Sequence, residues 1–321
     1  MMRDAVLGFA QQFGFEPRIE QGPVSVREQV IVAGMGGSHL AADLLANLVP
    51  YARIRVWSDY GLPAVEASEV GKTLFIASSY SGNTEETIDA YHEAKKAGFA
   101  CAIMAVGGKL IELAKQDGVP YVQLPNMGIQ PRSALGFGVR GLMALLSVEE
   151  GLVREARELQ TRLKPADLEQ KGQALAKSLQ SCAPLIYAST RNMGVAYNWK
   201  IKLNETGKVP AFYNLVPELN HNEMTGFDIA DSTKSLSQNF AFVFLKDTED
   251  HPRNQRRMEV MAKLYRDRGL PVHEIVLEGE SRMERVFGAL LLADWTAIAL
   301  AAHYGLESEQ VPMVEEFKKM L

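Results

Sequence analysis

The chain is poor in the residues that most directly betray a chemistry. Its 321 residues include only two cysteines, three tryptophans and six histidines, and acidic residues outnumber basic ones for a net charge of −5. Cys101 and Cys182 lie too far apart for a metal-binding spacing or a disulfide framework, so buried free thiols and a reducing, cytoplasmic home are expected. The lack of excess positive charge argues against a nucleic-acid partner. The densest basic cluster, Arg253-Asn254-Gln255-Arg256-Arg257, has no aromatic residue among its charges and reads as a solvated helix face. The opening MMRDAVLGFAQQFGF has no sustained apolar core, so no secretion signal is expected. One apolar stretch, from Val286 to Ala302, approaches membrane length but carries Asp294 at its centre, a costly position in lipid. A buried helix and a protein with no membrane partner are predicted.

With 47% hydrophobic residues, the chain can bury a full core and is long enough for two domains. Short apolar runs alternate with amphipathic stretches. Strands are predicted at Gln29–Ala33, Ile54–Trp57, Thr73–Ala77, Cys101–Val106 and Tyr121–Leu124, with helices over 38–48, 84–97 and 109–116. Thr84 is a natural N-cap for the second of these, and Gly98 is placed to end it. After the Pro-marked break from Pro125 to Pro131 come helical patterns over 134–149, 152–163 and 166–182. The rhythm then restarts, with strands at 185–188, 240–245 and 272–277 and helices at 192–204, 251–267 and 282–303. This spacing predicts the α/β class, two doubly wound parallel sheets flanked by helices, divided as 1–150 and 151–321.

Two turns stand out, each after an apolar run and before a helical pattern. Gly34-Met35-Gly36-Gly37-Ser38 begins as GxGxxG, but His39 occupies the third glycine position, and no P-loop is present. No nucleotide or other cofactor is therefore expected. A tight strand-to-helix turn is the plain alternative, and Ser38 at the expected N-cap favours an anion contact. Ser78-Ser79-Tyr80-Ser81-Gly82-Asn83-Thr84 is more specific. One hydroxyl suffices to cap a helix, whereas this turn offers four beside the N–H groups of an unstarted helix, a setting that attracts phosphate.

Three further residues carry chemistry. Arg132, in Gln130-Pro131-Arg132-Ser133, stands between the expected domains, where a guanidinium can meet an oxyanion, although a solvated arginine is the plain alternative. Glu205 ends a helical run that Gly207 stops. His221 lies between two asparagines in a segment bounded by Pro217 and Gly226, which is no core histidine's setting. A Glu/His pair at a cleft moves protons. Only Glu218 and Glu223 are near enough to complete a metal site, and their spacing does not support one.

On GMGGS at 34–38, SSYSGNT at 78–84, PRSALGF at 131–137, NETGKVPAF at 204–212 and HNEMTGF at 221–227, the chain resembles the sugar isomerase (SIS) superfamily. Within it, the chain is similar to the bifunctional phosphoglucose/phosphomannose isomerases over nearly its whole length. The resemblance implies two flavodoxin-like SIS subdomains, a homodimer, no metal, and interconversion of an aldose 6-phosphate with fructose 6-phosphate through a cis-enediol. It implies that Gly36, Gly37, Ser38, Ser79, Ser81 and Thr84 hold the phosphate of a phosphorylated hexose. Glu205 would move the proton, Arg132 would stabilise the enediolate, and His221, in cis or from a partner subunit, would open the sugar ring. A C-terminal lysine in the family corresponds best to Lys318, with Lys319 as the alternative. Two other readings stay open. A non-catalytic phosphosugar sensor would ordinarily bring a DNA-binding module, for which the chain shows no basic recognition helix. An enzyme acting on an amino-sugar phosphate would share the same phosphate turn.

Overall fold

Strand Thr73–Ser78 is buried at every position, and Gln29–Ala33 at all but its first. Such uninterrupted apolar runs belong to parallel strands covered on both faces. The computed structural model describes residues 2–25 and 27–320. These fall into two units, one of Gly8–Leu163 and one of Met1–Leu7 with Lys164–Leu321.

In chain order the helices are α1 (Met2–Leu7), α2 (Leu40–Leu48), α3 (Ala67–Val70), α4 (Glu85–Lys96), α5 (Gly108–Asp117), α6 (Leu135–Leu145) and α7 (Glu150–Arg162). They continue with α8 (Glu169–Ser178), α9 (Met193–Glu205), α10 (Lys234–Ser237), α11 (Pro252–Asp267), α12 (Arg282–His303) and α13 (Pro312–Met320). The strands are β1 (Ile19–Glu20), β2 (Gln29–Ala33), β3 (Ile54–Trp57), β4 (Thr73–Ser78), β5 (Ala100–Ala105), β6 (Tyr121–Gln123), β7 (Ala183–Ser189), β8 (Phe212–Val216), β9 (Phe240–Lys246) and β10 (Val272–Val276).

The N-terminal unit holds a six-stranded sheet in the order β1-β6-β5-β4-β2-β3. All its pairs are parallel except the short antiparallel edge of β1 on β6. One core joins Phe75, Ile103 and Ala105 of the sheet to Ala90, Tyr91 and Ala94 of α4 and Leu110 and Ala114 of α5. The expected division after residue 150 lies instead after Leu163. The reason is that α7 folds back onto the 3-10 turn Phe9–Gly14, burying Ala156 and Leu159. Gln160 donates to Gln11 (2.8 Å), and Arg157 pairs with Glu16 (3.0 Å).

The C-terminal unit carries a four-stranded parallel sheet, β10-β9-β7-β8. Strand β8 has no counterpart among the sequence expectations, because Pro210, Asn214 and Pro217 break up its pattern. Aromatic side chains dominate this core: Tyr187, Phe242, Phe244 and Tyr265 pack with ring centroids 4.4–6.4 Å apart. Among the described residues, one helix is long and apolar enough to cross a membrane, α12, and it is mostly buried within the protein. Its Asp294 accepts from Lys202 Nζ at 2.7 Å, and both side chains are buried. Cys101 and Cys182 are free, as expected, but only partly buried, a correction to the buried setting expected of them. Burial nonetheless pushes the Cys101 thiol up to about 12, which keeps it protonated and inert.

Removing one member of a buried ion pair leaves an uncompensated charge. Asp294→Ala is expected to cost about 3–5 kcal/mol in urea unfolding, while joint replacement by Lys202→Met and Asp294→Leu costs less.

Candidate active site

Parallel pairing of β2 with β4 sets Ala33 opposite Ala77, so the turns that follow these strands leave the sheet side by side. They are knitted together. Ser78 Oγ donates to Ser38 O (2.7 Å), and the N–H of Tyr80 donates to Ser38 Oγ (2.9 Å). Ser38 closes a short 3-10 turn, Gly36–Ser38, and His39 rather than Ser38 takes the N-cap position of α2. This corrects the capping expectation, since the Ser38 hydroxyl is engaged across the fold instead. His39 is buried, and its Nδ1 lies 2.7 Å from Asp43 Oδ2, which accounts for an imidazole where a dinucleotide fold needs glycine.

Within the second turn, Ser79 is fully buried and Ser81 is exposed. Ser79 Oγ lies 2.8 Å from Thr84 Oγ1 and accepts from the N–H of Gly82 at 3.1 Å. Ser81 Oγ accepts from the N–H of Asn83 at 3.2 Å. Thr84 holds the N-cap position of α4, as expected, yet its hydroxyl makes no capping bond. The Ser79–Thr84 pair has two hydroxyl hydrogens and uses only one between its oxygens. Whichever way that bond runs, one O–H remains to donate, next to the first-turn N–H groups of α4. Hydroxyl, amides and helix dipole together suit a phosphate dianion.

Arg132 belongs to the 3-10 turn Pro131–Ser133 and is 1% exposed, so the solvated alternative is set aside. Its turn packs on the glycine turn so closely that a Cβ at Gly37 would lie 2.7 Å from Arg132 N. Gln12, which no sequence signal marked, braces this region from the start of the chain. Its Nε2 donates to Ser133 O (2.7 Å), and its Oε1 accepts from the N–H of Gly136 (2.9 Å). The N-terminal unit thus brings Gly37, Ser38, Ser79, Thr84 and Arg132 into one set of packed turns, with Gly36 and Ser81 on its exposed side.

Glu205, His221 and Lys318 belong to the C-terminal unit. Glu205 is the last residue of α9 and half-buried, and its carbonyl accepts from Lys208 Nζ at 2.6 Å. His221 ends the 3-10 turn Glu218–His221, exposed to solvent, while neighbouring Leu219 is anchored in the core. Lys318 is exposed on α13 and pairs with Glu315 at 2.9 Å. Among the described residues, no three His, Cys, Asp or Glu side chains converge as metal ligands.

Strands β7 and β9 hold the places in their sheet that β2 and β4 hold in theirs. The turns after them carry a different chemistry. Ser189 Oγ donates to Asp250 (2.5 Å), and Arg191 pairs with Glu249 (2.5 Å). Arg282 and Arg285, from the start of α12, pair with Asp247 and Glu249 respectively. Burial pushes the Asp250 carboxyl above the usual carboxylate range. Here the protein's own carboxylates neutralise the arginines, so among the described residues the C-terminal unit has no open counterpart of the hydroxyl turn.

Residues 168–321 match the family described as the bacterial phospho-glucose isomerase C-terminal SIS domain. A bifunctional phosphoglucose/phosphomannose isomerase of Caldicellulosiruptor bescii is 37% identical over 311 residues, covering 92% of this chain and 89% of that protein. One from Aquifex aeolicus is 31% identical, covering 98% and 97%. A solved structure described as a glucosamine-6-phosphate deaminase, from Thermotoga maritima, superposes with a TM-score of 0.70 at 15% identity, covering 97% and 96%. That last likeness concerns the fold.

Gly82 has φ +76°, and a Cβ there would lie 1.8 Å from Gly107 O. Gly82→Ala is expected to lose about 1–3 kcal/mol of stability in urea unfolding and to weaken binding of inorganic phosphate measured by calorimetry.

Proposed function

The chain belongs to the bifunctional phosphoglucose/phosphomannose isomerase family, and from that premise we propose that it interconverts glucose 6-phosphate and mannose 6-phosphate with fructose 6-phosphate. The observation that carries the proposal is the Ser79–Thr84 hydroxyl pair at the start of α4, with Ser79 buried, Thr84 partly so, and one O–H left to donate. It suits a phosphate ester without calling on a lysine or a metal.

In this reading the phosphate end of the sugar is held by Ser79, Thr84 and the amides around Gly36, Gly37 and Ser38, with Ser81 at the exposed rim. His221 assists ring opening by taking the anomeric hydroxyl proton and returning one to the ring oxygen. The Glu205 carboxylate takes the proton from C2 of the open aldose, leaving a cis-enediolate; the O2 hydroxyl proton passes to O1, and Glu205 returns its proton to C1 to give the ketose. One carboxylate serves both directions, because removal and delivery occur on the same face of a planar intermediate. Arg132 offsets the charge that gathers on the enediolate oxygen, where a fixed donor is worth a few kcal/mol. For Lys318 the support is the family resemblance alone, since its ammonium is engaged with Glu315 on an exposed helix. A homodimer and a cytoplasmic location accompany this assignment.

Purified protein given fructose 6-phosphate, with no added metal or nucleotide, is expected to form glucose 6-phosphate and mannose 6-phosphate, each detected by its own coupled assay. Glu205→Gln is expected to lower kcat by about 10²–10⁴ while the fold is retained. Full turnover by that variant would remove Glu205 from the mechanism. Absence of both products from folded wild-type protein would overturn the activity.

A further inference from the structure

Glu223 lies two residues beyond His221 and has no part in the chemistry above, yet both of its carboxylate oxygens are committed. Oε1 accepts from the Tyr187 hydroxyl at 2.5 Å, and Oε2 accepts from Asn214 Nδ2 at 2.5 Å. These donors sit directly opposite each other on paired strands, Tyr187 on β7 and Asn214 on β8. Each has a fixed sense. Tyr187 is fully buried, and burial pushes its phenol far above the ordinary range, so it stays protonated and donates. Asn214 Oδ1 is taken by the N–H of Leu215 (2.8 Å), which orients the amide so that its NH₂ faces Glu223.

The same carboxylate is tied to the His221 turn. The N–H of Glu223 donates to Asn222 Oδ1 (2.5 Å), and Asn222 Nδ2 donates to Glu218 Oε1 (2.9 Å), closing a loop around His221. Leu219 anchors the other side in the core. An exposed imidazole on a short 3-10 turn has little packing of its own to aim it. The bracket from Glu223 to the sheet supplies that aim.

We propose that Glu223 is the positioning residue of the ring-opening step, fixing the His221 turn to β7 and β8 through Tyr187 and Asn214. This rests on the reading of His221 as the ring-opening group. A glutamine at 223 keeps the shape but offers one acceptor only. Bonded to Tyr187, it turns its NH₂ towards the NH₂ of Asn214, donor against donor. An aspartate at 214 restores the match, because it still accepts from the N–H of Leu215 and now also accepts from Gln at 223.

The test follows anomer interconversion of glucose 6-phosphate by exchange NMR, which reports ring opening, beside kcat for isomerisation. Glu223→Gln is expected to lower both by about 10- to 100-fold, the scale of a catalytic group displaced by roughly 1 Å. Asn214→Asp alone sets two carboxylates face to face and lowers both as well. The double variant Asn214→Asp/Glu223→Gln recovers most of each, with affinity for inorganic phosphate unchanged throughout. Adding Glu223→Gln to His221→Ala costs nothing further, since the one acts through the other. Wild-type ring opening in Glu223→Gln beside a defective His221→Ala would overturn the positioning role while leaving the reading of His221 intact. So would a loss that adds to that of His221→Ala, or a double variant that folds yet does not recover. Unchanged ring opening in His221→Ala would overturn both together. Should Glu223→Gln fail to fold, the double variant still decides the question.

Discussion

The register between β2 and β4 is the constraint from which the geometry of the paired turns in the N-terminal unit follows. Their parallel pairing runs from Gln29 opposite Thr73 to Ala33 opposite Ala77, with β3 on one side and β5 on the other. The chain order reverses at this point, so the loops after β2 and β4 diverge to opposite faces of the sheet and leave a crevice at its carboxyl end. A shift of one residue would turn every side chain of the strand to the other face. It would also break the Ser38–Tyr80 and Ser78–Ser38 bonds, which need both turns at the same height. The site is therefore a property of strand pairing before it is a property of serines.

The C-terminal unit repeats the reversal at β7 and β9 with another outcome. Where the first unit presents hydroxyls and amides, this one presents Asp247 and Glu249 against Arg191, Arg282 and Arg285, with Asp250 accepting from Ser189 and Asn192. Removing half of such a network leaves buried charge behind. Topology provides the crevice, and side-chain chemistry decides whether it stays open for a ligand. The residues proposed to move protons, Glu205 and His221, sit elsewhere in this unit, at the C-terminus of α9 and in the turn after β8.

Much of the fold was legible because its signals are local. The apolar runs of β2, β3 and β4 and the long pattern of α12 marked their elements to within a residue or two, since hydrophobic period depends only on neighbours in the chain. The β8 strand was not legible. Its Asn214 is there to orient an amide toward Glu223, and that polar residue hides the strand pattern. The division after Leu163 was not legible either, because α7 reads as a charged connector until Phe9–Gly14 is seen to pack beneath it.

For the site, residue types alone marked the hydroxyl-rich turn, the glycine turn, and the separate Arg132, Glu205 and His221 segments, each out of place in an ordinary loop. Tertiary structure decided which hydroxyls join, that Arg132 is buried, that Ser38 ties two turns instead of capping a helix, and that Gln12 and Glu223 brace their surroundings. The physical reason is range. Helix and strand periods act between residues a few positions apart, whereas Glu223 meets Tyr187 across 36 residues and Gln12 meets Ser133 across 121. Hydrogen bonds of that span exist only once the sheets are built.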